Sequence, residues 1–305
     1  MSSIGTTTPN QPLPRPDAAL NSPPSQQLLD IRDLIYQVAG ILQPDHRIRF
    51  LEERCQKRMK VLGFTRLGEY YDHLTKGASR TAEMTELLNE ITIGETCFFR
   101  NLPQIEALKK VVLPAIVENK KRLPFSKVRI WSAGCSTGEE AYTLAILLLE
   151  EKAGLLKNLN FEILATDLNE RSLEKARAAV YGDYAIRNLT PYFRQKYFNP
   201  SGNSLAVKDE VKSVIQFSRL NLRDDARMTF MKSMDIIFCC NVMIYFDAAV
   251  RTKVVQHYYN NLLPGSYLFL GHSESLYGIN QAFRLVHFPG ATAYFKPAPV
   301  VGGVK

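Results

Sequence analysis

Cysteine is scarce in this chain. Five are present among 305 residues, an odd number, and no two stand in a CxxC pair. That pattern indicates neither a disulfide framework nor a zinc site, and free thiols of a reducing compartment are the simpler account. No metal is expected. Long apolar runs are missing too. The longest near the centre, Leu144 to Leu149, is far too short to span a bilayer. The N-terminus shows no basic segment followed by an apolar one, so no secretory signal is visible. The chain is therefore expected to be cytoplasmic and not itself a membrane protein. Acid is in deficit, with 30 Asp and Glu against 38 Lys and Arg, a formal net charge of +8. Such a balance permits nucleic acid, a membrane surface or an acidic protein as partner and chooses none of them.

What is present begins with size. With 46% hydrophobic residues, the chain can bury one large core or two modest ones. Residues 1–26 carry six prolines among Ser, Thr, Gln and Asn and read as a disordered tail. Residues 298–305 form a second tail. From Leu28 to about Leu123 the pattern is helical, with Leu28, Ile31, Leu34, Ile35 and Val38 forming a first amphipathic stretch that ends near Gly40. Between His46 and Leu62, the residues Ile48, Leu51, Cys55, Met59 and Leu62 share one face. Arg47, Arg54 and Arg58 make a neighbouring stripe. Only Glu52 and Glu53 offset six cations there, so this helix is either a solvated surface or a dock for an acidic partner helix.

The chain is organised around Lys127 to Glu151. Val128-Arg-Ile-Trp131 reads as a buried strand, Gly134-Cys-Ser-Thr-Gly138 as a sharp turn, and Glu139 and Glu140 open an apolar helix. Strand, glycine turn and helix make the first unit of a doubly wound α/β sheet. The turn matches neither the GxGxxG fingerprint nor the phosphate loop, and it has no Lys to meet a phosphate. It is either a plain tight turn or a seat for a neutral or cationic ligand with hydroxyls. Phe161 to Asp167 is a second strand ending in an acid, the position that commonly takes ribose hydroxyls. Tyr181 to Val214 interrupts the alternation as a small antiparallel insertion, with a turn at Pro200-Ser-Gly-Asn203. The parent fold resumes at Ile215 to Leu220, followed by Asn221 and Leu222. Ser233 to Cys240 is the fourth parallel strand, ending at Asn241, with Tyr245 beyond it as a reacting group or a core aromatic. A closing hairpin, Phe283 to Phe295, favours a methyltransferase-type sheet over a plain dinucleotide one. Gly271-His-Ser-Glu-Ser275 imitates a nucleophile elbow but lacks the final Gly, which argues against a serine hydrolase.

In the linker, Ile91 to Arg100 reads ITIGETCFFR. Phe98 and Phe99 fit core anchors, with Arg100 either a surface residue or a partner for a carboxylate. Taken with WSAGCSTGEEAYTLA, ILATDLN, FSRLNL, CNVMIYF, LLPGSYLFLGHSESL and the final hairpin, this stretch gives the chain a resemblance, from about Leu28 to Phe295, to the chemotaxis receptor glutamate methyltransferases of the CheR type. The resemblance implies a helical receptor-recognition domain and linker (27–100). It then implies a methyltransferase domain (101–297) with a β-subdomain inserted at about 181–214. It also implies S-adenosylmethionine as methyl donor and glutamate γ-carboxylates on the cytoplasmic helices of chemoreceptors as acceptors. Carried over by position, Gly94, Thr96, Arg100, Gly134, Glu139, Asp167, Asn221, Leu222, Cys240 and Asn241 fall at cofactor positions. Tyr245 falls beside the transferred methyl, Arg100 is expected to order the cofactor's methionyl end or the incoming carboxylate, and Arg47, Arg54 and Arg58 fall on the receptor-recognition helix. The family usually has Asn at Gly94 and Arg at Cys240, and the insertion is short around Ser201 to Asn203. A glutamate carboxylate is ionised at neutral pH and attacks a sulfonium methyl without a general base. A monomer is expected, with no nucleic acid partner. The rival readings are an RNA or DNA methyltransferase, which the charge permits, and a regulator that binds the cofactor without transferring its methyl.

Overall fold

The structure is a computed structural model, and it describes residues 23–92, 94–121 and 126–298. The tails expected at 1–26 and 298–305 lie almost wholly outside these residues.

Four helices come first: α1 (Gln26–Ala39), α2 (Ile48–Leu62), α3 (Leu67–Lys76) and α4 (Arg80–Ile91). Ser25 caps α1 through its hydroxyl, and Gly40 ends it in the left-handed conformation at φ 72°, the usual way a helix stops at glycine. Leu28, Ile31 and Ile35 of α1 meet Leu51, Cys55 and Met59 of α2 in one buried cluster. Arg58 departs from the expected stripe. It turns inward, and its Nε and Nη2 donate to Glu83 at 2.9 and 2.7 Å, while Tyr70 OH donates to the same carboxylate at 2.8 Å. Arg58 and Glu83 are 8% and 4% exposed, so Arg58 ties α2 to α4 and cannot face a receptor. That placement corrects its assignment as a receptor-binding residue.

A linker leads to α5 (Leu102–Ala107), which passes through a π turn into α6 (Leu113–Lys120). The alternating unit follows: β1 (Lys127–Ala133), α7 (Glu139–Glu150), β2 (Asn160–Asp167) and α8 (Glu170–Ala178). The insertion comprises β3 (Val180–Tyr181), α9 (Asp183–Ile186), α10 (Pro191–Tyr197), β4 (Phe198–Ser201), β5 (Ser204–Val207) and α11 (Asp209–Lys212). Its three strands form an antiparallel sheet of order β3-β5-β4, and its short helices were not anticipated from sequence. The rest is β6 (Ile215–Arg219), α12 (Asp225–Met228), β7 (Met234–Cys239), α13 (Ala248–Asn261), β8 (Leu262–Leu270), β9 (Arg284–Phe288) and β10 (Ala291–Lys296).

The main sheet has the order β6-β2-β1-β7-β8-β10-β9. Its first five strands run parallel, and β10 pairs antiparallel with both β8 and β9. Every residue of β7 is buried, as a central parallel strand requires when both faces are covered. One face packs against α5, α6, α7 and the insertion. The other continues into the helical core through Trp131, Ile237 and Leu268. Strand order reverses at β1, with β2 on one side and β7 on the other, and there the carboxyl ends of the strands leave a crevice.

Candidate functional site

The turn after β1 forms the wall of that crevice. Gly134 has φ 86°, and a Cβ on it would lie 2.3 Å from Val242 Cγ2, so only glycine fits. Gly134 N and Cys135 N donate to Thr166 O at 2.7 and 2.9 Å. Ser136 N donates to Asp167 Oδ2 at 2.8 Å, and Asn169 N to Oδ1 at 2.8 Å. Burial raises the Asp167 carboxyl above its usual range, while these backbone donors pull the other way. Each oxygen keeps acceptor capacity for a further donor.

Two joined compartments open here, sharing Gly134, Ser136, Cys240 and Asn241. The smaller, about 110 Å³, is lined by Asp167, Leu168, Leu220, Asn221, Leu222 and Tyr245, with Ala39 and Ile41 reaching in from the helical domain. It is an apolar slot with a carboxylate at its edge, a shape for a flat ring carrying hydroxyls. Asn221 Nδ2 is committed to Val38 O at 2.8 Å, so this side chain pins α1 to the sheet as well as lining the slot. Tyr245 is half-buried, which raises its phenol, while Arg47 and Arg100 act in the opposite sense. Its carbonyl accepts from Leu42 N at 2.8 Å.

The larger compartment, about 280 Å³, is lined by Thr96, Arg100, Gln104, Glu140, Cys240 and Asn241 among others. Arg100 is exposed and donates through Nη1 to Glu95 O at 2.7 Å. Phe98 and Phe99 beside it are buried, and Phe99 N donates to Thr143 Oγ1 of α7 at 3.0 Å. The aromatics are core anchors, as expected, and Arg100 is a surface residue at the rim of the larger compartment. Cys240 Sγ donates to Gln104 Oε1 at 3.7 Å, and burial pushes the thiol well up.

The tandem glutamates part company. Glu139 accepts from Thr137 Oγ1 at 2.7 Å and lines a shallow recess with Glu95 and Tyr184, not either compartment. Glu140 lines the larger compartment and accepts from Ser132 Oγ at 2.6 Å. Burial raises its carboxyl to about 7, against the pull of Ser132, Cys240 and Arg100. Successive helix positions diverge by about 100°, so the two side chains cannot share the cleft. Glu140 faces it with Thr143 and Leu144, three and four positions on. Sequence reading missed Glu140 for want of the helix's rotational phase.

Gly94 lines the smaller compartment, and a Cβ on it would fall 2.1 Å from Ser136 Oγ. A side chain at 94 would therefore require the Ser136 hydroxyl to rotate away. Arg47, the residue before α2, and Arg54 within it each lie with the guanidinium carbon 4.7 Å from the centre of the Phe50 ring, a cation–π arrangement.

An organic cation with a ring and hydroxyls fits these residues. Ser136 lines both compartments, and its Oγ is buried without any hydrogen-bond partner; a buried polar atom of that kind calls for a ligand or water. Among the described residues, no group of His, Cys, Asp and Glu could hold a metal ion, and no helix is long and apolar enough to cross a membrane.

Comparison with known proteins agrees with this geometry. Residues 94–291 match the family description "CheR methyltransferase, SAM binding domain", and residues 26–92 match "CheR methyltransferase, all-alpha domain". The chain is 34% identical over 267 residues to chemotaxis protein methyltransferase 2 of Vibrio cholerae, covering 87% of this chain and 91% of that one. It is 36% identical over 246 residues to the chemotaxis protein methyltransferase of Borreliella burgdorferi, covering 80% and 86%. With the Escherichia coli chemotaxis protein methyltransferase it shares 32% over 268 residues, covering 87% and 88%.

Proposed function

This chain belongs to the CheR methyltransferase family, and from that premise we propose that it transfers the methyl group of S-adenosylmethionine to glutamate γ-carboxylates on chemoreceptor helices. The products are glutamyl methyl esters and S-adenosylhomocysteine. One observation carries the reading: the two compartments meet at Gly134 and Asn241, with Asp167 bordering one and Arg100 and Glu140 the other. When bound, the cofactor supplies an electrophilic methyl on a cationic sulfur.

Each residue then has a role. Asp167 accepts the ribose hydroxyls, and Leu222 with Leu220 and Leu168 encloses the adenine. Asn221 closes that slot by holding α1 against it. Glu140 receives the α-ammonium of the methionyl end, and Arg100 its carboxylate or that of the incoming glutamate. Thr96, Gly134, Cys240 and Asn241 line the passage between, Gly94 presents backbone alone, and Tyr245 shapes the pocket where the methyl passes. Glu139 stabilises the first turn of α7. The acceptor is already a nucleophile, so no general base is required. Catalysis comes from holding oxygen, methyl and sulfur in line.

Arg47 and Arg54 give α2 a cationic edge, and acidic receptor helices are its natural complement. The test is transfer of labelled methyl from S-adenosylmethionine to membranes carrying the organism's chemoreceptors, followed by mild base. Base-labile label on the receptor is expected. Label in RNA or DNA would replace the acceptor, and cofactor binding with no transfer to either would make the chain a sensor.

A further inference from the structure

The start of the insertion holds both the glycine turn and the linker. Tyr181 OH donates to Thr137 O of the turn at 2.6 Å, and its ring meets Phe98 edge-on with centres 5.0 Å apart. Three further bonds reach the linker. Phe98 N donates to Ala185 O at 2.9 Å, Asn188 Nδ2 donates to Phe99 O at 3.3 Å, and Tyr184 OH donates to Glu95 Oε1 at 2.5 Å. The segment from Glu95 to Arg100 is thus fastened to the insertion along its length. Its Thr96, Cys97 and Arg100 line the larger compartment.

The last of these bonds leads to a cation. Glu95 O accepts from Arg100 Nη1 at 2.7 Å, so the residue that Tyr184 holds by its side chain holds Arg100 by its carbonyl. One donor of the guanidinium fork is fixed there, and the others stay available to a ligand. A side chain seated beforehand loses less freedom when it binds. Tyr184 itself is 59% exposed, so burial does not account for its place. Arg187 braces it instead, with its guanidinium carbon 3.8 Å from the ring centre and Nη1 donating to Tyr184 O at 2.5 Å.

We propose that Tyr184, aided by Asn188, is a positioning residue for Arg100, and that the insertion orients the guanidinium before its carboxylate arrives. This rests on the cofactor reading given above. Calorimetric affinity for S-adenosylmethionine reads the effect if that carboxylate is the methionyl one, and the KM for receptor membranes reads it if it is the incoming glutamate. Tyr184→Phe keeps the ring under Arg187 and removes the bond to Glu95. It is expected to weaken one of the two by about three- to tenfold, the scale of a hydrogen bond to a charged group. The thermal midpoint should stay at its wild-type value, because the lost bond lies at the surface. In an Arg100→Ala background the same change is expected to do nothing further. Glu95→Gln keeps an acceptor for the phenol and is expected to stay within about twofold of wild type, whereas Glu95→Ala should match Tyr184→Phe. Wild-type values of both quantities in Tyr184→Phe, or an equal loss with and without Arg100, would overturn the proposal. So would a Glu95→Gln as impaired as Glu95→Ala. A wild-type chain that binds no S-adenosylmethionine would overturn the cofactor assignment and this proposal with it.

Discussion

The strand-end cleft and the basic helix α2 treat their charged groups in opposite ways. In the cleft, Asp167 is held by the main-chain amides of Ser136 and Asn169, which orient it without neutralising it. On α2, Arg58 is consumed by Glu83 inside the domain, while Arg54 and the preceding Arg47 rest on Phe50. Backbone donors leave a charge available for a ligand, whereas a bidentate side-chain partner removes it from recognition. The same residue type in the same stripe thus ties two helices together at one position and rests half-buried on an aromatic ring at another.

The sharpest way to break this contrast is Arg58→Ala. It leaves Glu83 and Tyr70 without their cation in a buried setting, and loss of one partner of such a pair costs about 3 to 5 kcal/mol. A lower thermal midpoint, with the helical signal melting earlier, is expected. A stability close to wild type would put Arg58 back among the available cations. Next in size is Asp167→Ala. Losing the ribose acceptor is expected to weaken S-adenosylmethionine by about 2 to 3 kcal/mol, the scale of a hydrogen bond to a charged group. Calorimetry reads it, and unchanged affinity would remove Asp167 from the cofactor site.

The residues that drew attention in the sequence differ in how local their surroundings are. The glycine turn and Asp167 were legible because strand, turn and acid all fall between Lys127 and Asp167, and their pattern of small, apolar and charged residues encodes the crevice directly. The choice between Glu139 and Glu140 was not. It depends on the direction in which α7 leaves Gly138, whose φ of 96° no composition reveals. Arg58 was misread because its partner lies 25 positions away, and helical spacing within α2 cannot distinguish a stripe facing solvent from one facing α4. Asn221 was placed beside the adenine, but its bond to Val38, 183 positions distant, joins two domains and has no trace in either local pattern. The insertion's sheet was legible from its turn at Gly202. Its short helices were hidden, being four to seven residues long and carrying too little periodicity to show.

Glu140 sharpens the comparison through pH. Its carboxyl is raised to about 7, first by burial, so in the free protein it is still taking up protons near neutrality. An ammonium ligand requires the carboxylate. Affinity for S-adenosylmethionine is therefore expected to rise as pH increases through about 7 and then level off, and binding at pH 6.5 is expected to release protons, seen as a heat that depends on buffer ionisation. Glu140→Gln is expected to flatten that dependence and to cost about 1 to 2 kcal/mol at pH 8. The sign for stability is opposite. A carboxyl raised on folding stabilises the cofactor-free protein fully below its unfolded pKa, and that contribution is lost as pH climbs through about 7. A pH-independent affinity in the wild type would exclude Glu140 as the ammonium's partner.

The smallest effect is expected at the half-buried cations beside Phe50. Arg47 and Arg54 lean on one phenyl ring, and Arg47 is close enough to Tyr245 to favour its ionised form. Partly exposed charges at an interface rim contribute about 0.2 to 1 kcal/mol each and act mainly on encounter, so Arg47→Ala is expected to raise the KM for receptor membranes by less than about fivefold. The maximal rate, the cofactor affinity and the thermal midpoint should stay put, since Arg47 makes no bond into either core. The loss should shrink as salt is added, because screening already weakens the wild-type attraction over a Debye length of about 8 Å at physiological ionic strength. Arg54→Ala is expected to shift the same KM in the same direction, and the double variant to fall short of additivity because both cations share the Phe50 ring. If Arg47→Ala instead lowers the maximal rate at saturating receptor, with no salt dependence, then this cation belongs to the chemistry at Tyr245, and the division between a binding helix and a reacting cleft fails at that residue.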